Sequence, residues 1–172
     1  MAVRKIVRFP DPILKTPTLR VDVIDRDIVK LVEDMFETMY HAEGVGLAAN
    51  QIGEPLRIMV IDTFPKKESP PVKLVLINPE LIEGQGSIKY REGCLSFPGL
   101  TVDVERYQKV KFRAMDLKGE MKEYKLEGFP AIVFQHELDH LDGITFIDRV
   151  NGLKRRLALE RYAKLQRQGT GG

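Results

Sequence analysis

The chain has 172 residues, of which 43% are hydrophobic and 30% charged, a composition typical of a folded globular protein rather than a disordered one. Its length suits one domain, which we place over 1–172, and no apolar run is long enough to cross a membrane. A net charge of +2 argues against a globally basic, DNA-binding surface. The single cysteine excludes an internal disulfide, and a signal-peptide pattern is lacking, so we expect a cytoplasmic protein.

The first third of the chain combines one amphipathic helix with loops. The helix is predicted over 25–42, where apolar residues recur at helical spacing behind Asp25, a suitable N-cap. A glycine-rich segment, 41–55, and a short apolar strand, 57–61, follow. The proline-rich, charged segment TFPKKESPP, 63–71, indicates an exposed loop.

The middle of the chain alternates short strand-like segments with glycine and aspartate, a pattern typical of antiparallel strands. The candidate strands are 73–79, 80–86, 87–92, 100–106, 109–116 and 120–128. The sequence DLKG between the last two predicts a hairpin turn.

Two further helices are predicted near the end of the chain. One begins at Pro130, which suits a first helical turn, and ends near Gly143. The other spans about 148–167, and the GTGG end is expected to fray. Its apolar stripe consists of Val150, Leu153, Leu157 and Leu165. Because the strands and helices are segregated along the chain, we predict an α+β fold.

The stretch QHELDH, 135–140, lies on the first of these two helices. His136 and His140 are four residues apart on one face, so both imidazoles can bind one cation. Glu137 is offset by one residue, where its carboxylate can take a proton from water beside that cation. The HExxH pattern therefore predicts a metal-dependent hydrolytic site, the alternative being a solvated helix face without metal.

The third ligand is not fixed by this spacing. His41 ends a distant helix, and Phe146 stands where a metzincin would have its third histidine. Glu160 lies on the next helix, as the third ligand of thermolysin-like proteases does. Cys94 follows Gly93 in a turn, although a lone cysteine is more often a small buried hydrophobe. The residues alone leave Glu160 and Cys94 open.

Three separated motifs resemble those of peptide deformylases, in the same order. They are GVGLAANQ (44–51), EGCLS (92–96) and QHELDH (135–140), and the similarity extends from FPDPIL through LINP to the C-terminal helix. Asn50 stands where many family members have proline, a position that is neither a ligand nor a catalytic residue. The resemblance implies a hydrolase that removes the N-formyl group from N-formylmethionine on newly made polypeptides and releases formate.

The resemblance also implies the metal site. Cys94, His136 and His140 would bind the metal with water in the fourth position, as in catalytic rather than structural sites. Family members typically use Fe²⁺, and Zn²⁺, Ni²⁺ or Co²⁺ can also bind. We therefore expect antiparallel strands packed around a central metal-binding helix, with a long C-terminal helix.

In similar sites, a carboxylate acts as base and two donors hold the oxyanion. Here Glu137 would be the base, and the Gln51 side-chain amide and the Leu95 backbone N–H would be the donors. Helical phase places some apolar residues beside the metal, where they could also be ordinary core. The expected methionine pocket consists of Val45, Tyr90, Phe129, Ile132 and Val133, and Gly44 and Gly46 are further expected substrate-binding residues.

The C-terminal segment, 148–172, is basic, with seven Lys or Arg against Asp148 and Glu160. Such a segment is usually a solvated face, but some deformylases dock on the ribosome through this helix. The expected partners are nascent N-formylmethionyl peptides and the ribosome, in a bacterial-type cytoplasm or an organelle. Two other classes stay open: a small HExxH protease that uses Glu160, and a non-catalytic, ribosome-associated metal-binding module.

Overall fold

The computed structural model describes residues 2–64 and 71–168. In chain order these residues form α1 (Arg26–His41), β1 (Gly46–Ala48), β2 (Ile58–Asp62), β3 (Lys73–Gln85), β4 (Ile88–Cys94), β5 (Phe97–Arg106), β6 (Lys109–Met115), β7 (Met121–Glu127), α2 (Phe129–Leu141) and α3 (Gly152–Gln168). Most of the predicted loop at 63–71 and the GTGG end lie outside the described residues. The α+β prediction is confirmed.

Every pairing between the strands is antiparallel. One sheet has five strands in the order β1-β2-β3-β6-β7, and β4 and β5 form a separate two-stranded sheet. Side chains alternate between the two faces of a strand. In β2, Ile58 and Val60 pack with α1, whereas Met59 and Ile61 pack with α2. The two helices therefore cover opposite faces of the larger sheet.

Helix α1 begins where the sequence predicts. The Asp25 side chain accepts a hydrogen bond from the backbone N–H of Ile28, which satisfies one of the free donors of the first turn. Leu31, Met35 and Met39 are buried on one side of the helix and face the sheet.

The prediction of two strands over 73–79 and 80–86 was wrong, because residues 73–85 form one strand, β3. The backbone of Asn78 has a φ of 53°, and the pairing with β6 shifts register between Ile77 and Glu80. The Asn78 side chain bonds both the N–H and the carbonyl of Val21, at 2.9 and 2.8 Å. This residue bends the strand without ending it, as a β-bulge does.

Helix α2 is the central helix, and nearly all of its residues are buried. The ring of Phe134 stacks on Phe112 of β6 with centroids 3.8 Å apart. Burial on all sides is typical of a helix within a core. The predicted central position is therefore confirmed.

Helix α3 differs from its prediction in its start and in its buried side. Residues 146–149 form a separate 3-10 turn, and α3 begins at Gly152. Val150 and Leu165 of the predicted stripe are partly buried against the core cluster that contains Phe97, as predicted. Leu153 and Leu157 are instead 60% and 48% exposed, and Ala158 and Tyr162 are buried. Tyr162 packs in an aromatic cluster with Phe97, and this contact sets the rotation of the helix. None of the described helices is long and apolar enough to span a membrane.

Candidate metal centre

Cys94, His136 and His140 converge where the end of β4 meets α2. The Sγ of Cys94 and one nitrogen of each ring all lie within 4.8 Å of one another. Sγ is 3.3 Å from Nε2 of His140. The helix places the two histidines on one face, and a register shift between Gly93 and Cys94 ends the regular pairing of β4 with β5 at the cysteine. One cation could be held by all three side chains.

The chemistry of this donor set fits a transition-metal ion. One thiolate and two imidazoles are ligands that zinc and iron accept, and three protein ligands leave a position for a reactant. Burial lowers the pKa of His140 well below its usual value, so the ring is neutral, as a ligand must be. His41 and Glu160 are both exposed, and neither belongs to this group within the described part of the chain.

His136 is oriented by a buried chain of charges that begins at Glu92. His136 Nδ1 donates to Glu92 Oε1 at 2.8 Å, which leaves Nε2 free to face a cation. Arg106 donates to both Glu92 oxygens at 2.7 and 2.9 Å and to Asp139 at 2.6 Å. Arg149 donates to both oxygens of Asp139, at 2.9 and 2.6 Å. The chain of ion pairs therefore runs from the ligand to the protein surface.

The two buried glutamates beside the predicted metal ligands have pKa values shifted in opposite directions. Burial would raise the pKa of Glu92, yet its contacts with Arg106 and His136 lower it, so Glu92 is ionised. Burial raises the pKa of Glu137 to about 7, and Oε1 of this residue has no hydrogen-bond partner in the described structure. A buried carboxylate with a free oxygen and such a pKa suits proton transfer near neutral pH.

Gln51 lies beside Cys94, in the 3-10 turn Ala49–Ile52. Its Oε1 accepts from the backbone N–H of Ala48 at 3.0 Å, so the amide nitrogen must point the other way. That nitrogen lies 3.8 Å from Cys94 Sγ and 3.1 Å from Ser96 Oγ. Leu95 lies between these two residues in the chain. Both predicted oxyanion donors are therefore next to the cysteine.

A cavity of about 490 Å³ opens beside these residues. All seven predicted substrate-binding residues line it, together with Gln51, Cys94, Leu95, His136 and Glu137. Tyr90 and Phe129 contact each other in its wall, with ring centroids 5.5 Å apart. Leu100 and Thr101 of β5 also line the cavity and were missed from sequence.

Sequence reasoning also missed Glu92, Arg106, Asp139 and Ser96. Asp139 and Glu92 lie inside the quoted motifs, and a buried charge beside a ligand could have been suspected there. Arg106 carries no local signal, because its role depends on the packing of β5 against α2.

Comparisons with known proteins agree with this site. The family model for polypeptide deformylase matches residues 3–156. A peptide deformylase of Aquifex aeolicus is 68% identical over 163 residues, which cover 95% of this chain and 96% of the relative. One of Acidobacterium capsulatum is 48% identical over 98% of this chain and 99% of its own.

Solved structures show the same likeness. A peptide deformylase from Legionella pneumophila superposes with a TM-score of 0.89 at 41% identity, over 98% of each chain. One from Ehrlichia chaffeensis in complex with actinonin has a TM-score of 0.89 at 37% identity, over 97% of this chain and 99% of that one. These matches decide against both alternative classes, the HExxH protease and the non-catalytic module. The chain belongs to the peptide deformylase family, the metal-dependent hydrolases that remove the N-formyl group from nascent peptides.

Proposed function

We propose that Cys94, His136 and His140 hold one divalent cation for deformylation and that Glu137 is the general base. The convergence of three ligand atoms beside a buried carboxylate carries this proposal. When bound, the cation would polarise the formyl carbonyl and make water more acidic.

Glu137 moves one proton in this scheme. Its carboxylate accepts the proton as the water oxygen bonds to the formyl carbon. It then gives that proton to the amide nitrogen as the C–N bond breaks, which yields formate and a free amino terminus. Burial supports this role, since it keeps bulk water from competing for the proton.

The side-chain amide of Gln51 and the backbone N–H of Leu95 stabilise the negative oxygen that forms during attack. Gln51 is already oriented, because its Oε1 accepts from Ala48 and its Nε2 points toward Cys94. Ser96 holds the same amide in the resting site. One such donor contributes about 2.7 to 4 kcal/mol to transition-state stabilisation.

The apolar part of the cavity takes the methionine side chain. Val45, Ile132 and Val133 provide aliphatic walls, and Tyr90 and Phe129 provide aromatic ones. Gly44 and Gly46 also line the cavity, and a Cβ at Gly44 would lie 2.8 Å from Leu95 Cδ1, so a larger residue there would collide with the Leu95 side chain. The side chain of methionine is unbranched, flexible and apolar and therefore fits a pocket with these walls, which supports a preference for methionine.

Fe²⁺ is the proposed native metal, and the thiolate and imidazole ligands also accept Zn²⁺, Ni²⁺ or Co²⁺. The test is formate release from formyl-Met-Ala-Ser by anaerobically prepared, iron-loaded protein. In parallel, Cys94→Ser should lose bound metal and Glu160→Ala should keep it. Equal metal content in the two variants would refute the ligand set.

We also propose that α3 contacts the ribosome, which fits a cytoplasmic, bacterial-type or organellar protein acting on nascent chains. Its basic residues are Lys154, Arg155, Arg156, Arg161, Lys164 and Arg167. Because Ala158 and Tyr162 are buried, charge reversal tests this better than deletion. Changing the exposed Lys154, Arg156 and Arg161 to Glu should reduce co-sedimentation with ribosomes at low salt.

The control for ribosome binding reverses three exposed lysines on other elements. Lys30, Lys89 and Lys125 lie on α1, β4 and β7. Changing them to Glu alters the net charge equally but should leave ribosome binding higher than in the α3 variant. Equal loss in both variants would show that binding follows overall charge and not α3.

A further inference from the structure

The side chain of Asn50 connects the turn that carries Gln51 to the helix that carries His140. Asn50 is fully buried, and its Nδ2 donates to the backbone carbonyl of His140 over 2.6 Å. The two residues are 90 positions apart in the chain. This bond therefore fixes two segments that sequence alone does not place together.

The bonded carbonyl lies at the end of α2. The helix stops at Leu141, and carbonyls of a last turn have no partner further along the helix. The carbonyl of His140 is held by Asn50 and by the backbone N–H of Gly143 at 3.1 Å. A small rotation of this turn would move the His140 ring relative to Cys94.

The two histidines are held in different ways. His136 is oriented through its ring, because Nδ1 donates to Glu92. The Nδ1 of His140 is buried and makes no hydrogen bond with any described residue. The position of His140 therefore depends on its backbone, and Asn50 is the side chain that bonds it.

Gln51, the next residue in the turn, contacts the segment that carries Cys94. Its amide nitrogen faces Cys94 and Ser96, whereas that of Asn50 faces His140. Gly53, with a φ of 85°, closes the turn by donating to the Asn50 carbonyl. Two consecutive amides thus contact both segments that supply metal ligands.

We propose that Asn50 is a positioning residue, whose bond to the His140 carbonyl holds this ligand in place against Cys94 and slows loss of the metal. The inference rests on the ligand set proposed above. Asn50 touches neither substrate nor metal in this scheme and acts only through His140.

The test compares Asn50→Thr with Asn50→Val, a pair of similar shape that differs in one hydroxyl donor. The full chain would be loaded with Co²⁺, and metal loss to an excess of chelator followed by the visible absorption of the bound ion. We expect loss on the order of 10-fold faster in the Val variant than in wild type, with the Thr variant clearly slower than Val. Equal rates in Thr and Val would overturn the proposal.

A measurement on the unaltered protein covers the case in which neither variant folds. In the zinc-loaded chain, NMR should detect a scalar coupling across the hydrogen bond between Asn50 Nδ2 and the His140 carbonyl carbon, and its absence would overturn the proposal. The His140→Ala variant tests the ligand set separately from the role of Asn50, because it must lose the metal if His140 is a ligand. Retention of metal by that variant would refute the ligand set itself.

Discussion

At the scale of single residues, we expect the protonation of Glu137, the proposed base, to set the pH dependence of the reaction. Burial raises its pKa to about 7, and a bound cation nearby would lower that value. Only the ionised carboxylate can accept a proton, so kcat/KM should rise with pH through an apparent pKa of about 7 or below, then level off. A pH series of formate release measures this, with Glu137→Gln as the inactive, metal-retaining control. A rate that falls as pH rises toward 7 would contradict it.

Gly46 controls the space beside the same carboxylate. A Cβ at this position would lie 2.8 Å from Glu137 Oε2 and 2.8 Å from Val133 Cγ1. Gly46→Ala should therefore displace the base and lower kcat by on the order of 10²-fold, because catalysis is sensitive to displacements of about 1 Å. Bound metal should be unchanged, since the atoms nearest the added Cβ belong to Glu137 and Val133 and not to a proposed ligand.

Gly152→Ala is the matched control for that substitution. Its added Cβ would meet no atom within 4 Å, and its backbone is not left-handed. Formate release by this variant should equal that of wild type. Similar losses in the two variants would show that the effect at Gly46 does not come from the carboxylate.

The residues of the site differ in how far sequence could predict them. His136, Glu137 and His140 follow from helical spacing within six residues, and the structure brings them together. Spacing could not decide between Cys94 and Glu160 as the third ligand, and the family resemblance was needed to choose Cys94. Neither spacing nor the resemblance identified Arg106, because the role of a buried arginine becomes clear only when the positions of the surrounding carboxylates are known.

At the scale of elements, the ion pairs of Arg106 tie β4, β5 and α2 together. Glu92, Asp139 and Arg106 are each less than 9% exposed. Loss of the Arg106 guanidinium would leave Glu92 paired only with His136 and Asp139 paired only with Arg149 among the described residues, in a buried setting. Arg106→Met should therefore lower the free energy of unfolding by about 3 to 5 kcal/mol, measured by chemical denaturation.

The control is Arg91→Met, which removes an exposed ion pair. Arg91 and Asp103 are 73% and 39% exposed, so the loss should be about 1 kcal/mol or less. The contribution of the Arg106–Glu92 ion pair to stability also depends on pH. Since the pKa of Glu92 is lowered by folding, its pairing stabilises the protein above the unfolded pKa and is lost as pH falls through the folded one. Equal losses in the free energy of unfolding for Arg106→Met and Arg91→Met would contradict the larger contribution expected of the buried ion pairs.

The extent of β3 and the buried face of α3 differ from the predictions made from local sequence patterns. The sequence predicts separate strands over 73–79 and 80–86, yet the Asn78 side chain bonds Val21 and a single strand continues through this point. In α3, leucine spacing suggests a buried stripe, and Leu165 does pack against the Phe97 cluster, yet Tyr162 also joins that cluster while Leu153 is exposed. In both cases a contact distant in sequence decided the outcome.

At the scale of the whole molecule, the metal site joins segments that the unfolded chain cannot hold together. Cys94 is at the end of β4, and His136 is on α2, 42 positions later. A cation that binds only this arrangement stabilises the folded state by RT ln(1 + [M]/Kd), or about 2.7 kcal/mol at a free metal concentration 100 times Kd. Chelation should therefore lower the melting temperature of the wild-type protein in calorimetry. Cys94→Ser should reduce that shift and Glu160→Ala should preserve it, because only the cysteine lies with the two histidines. An unchanged melting temperature after verified removal of the metal would mean that the cation does not hold β4 and α2 together.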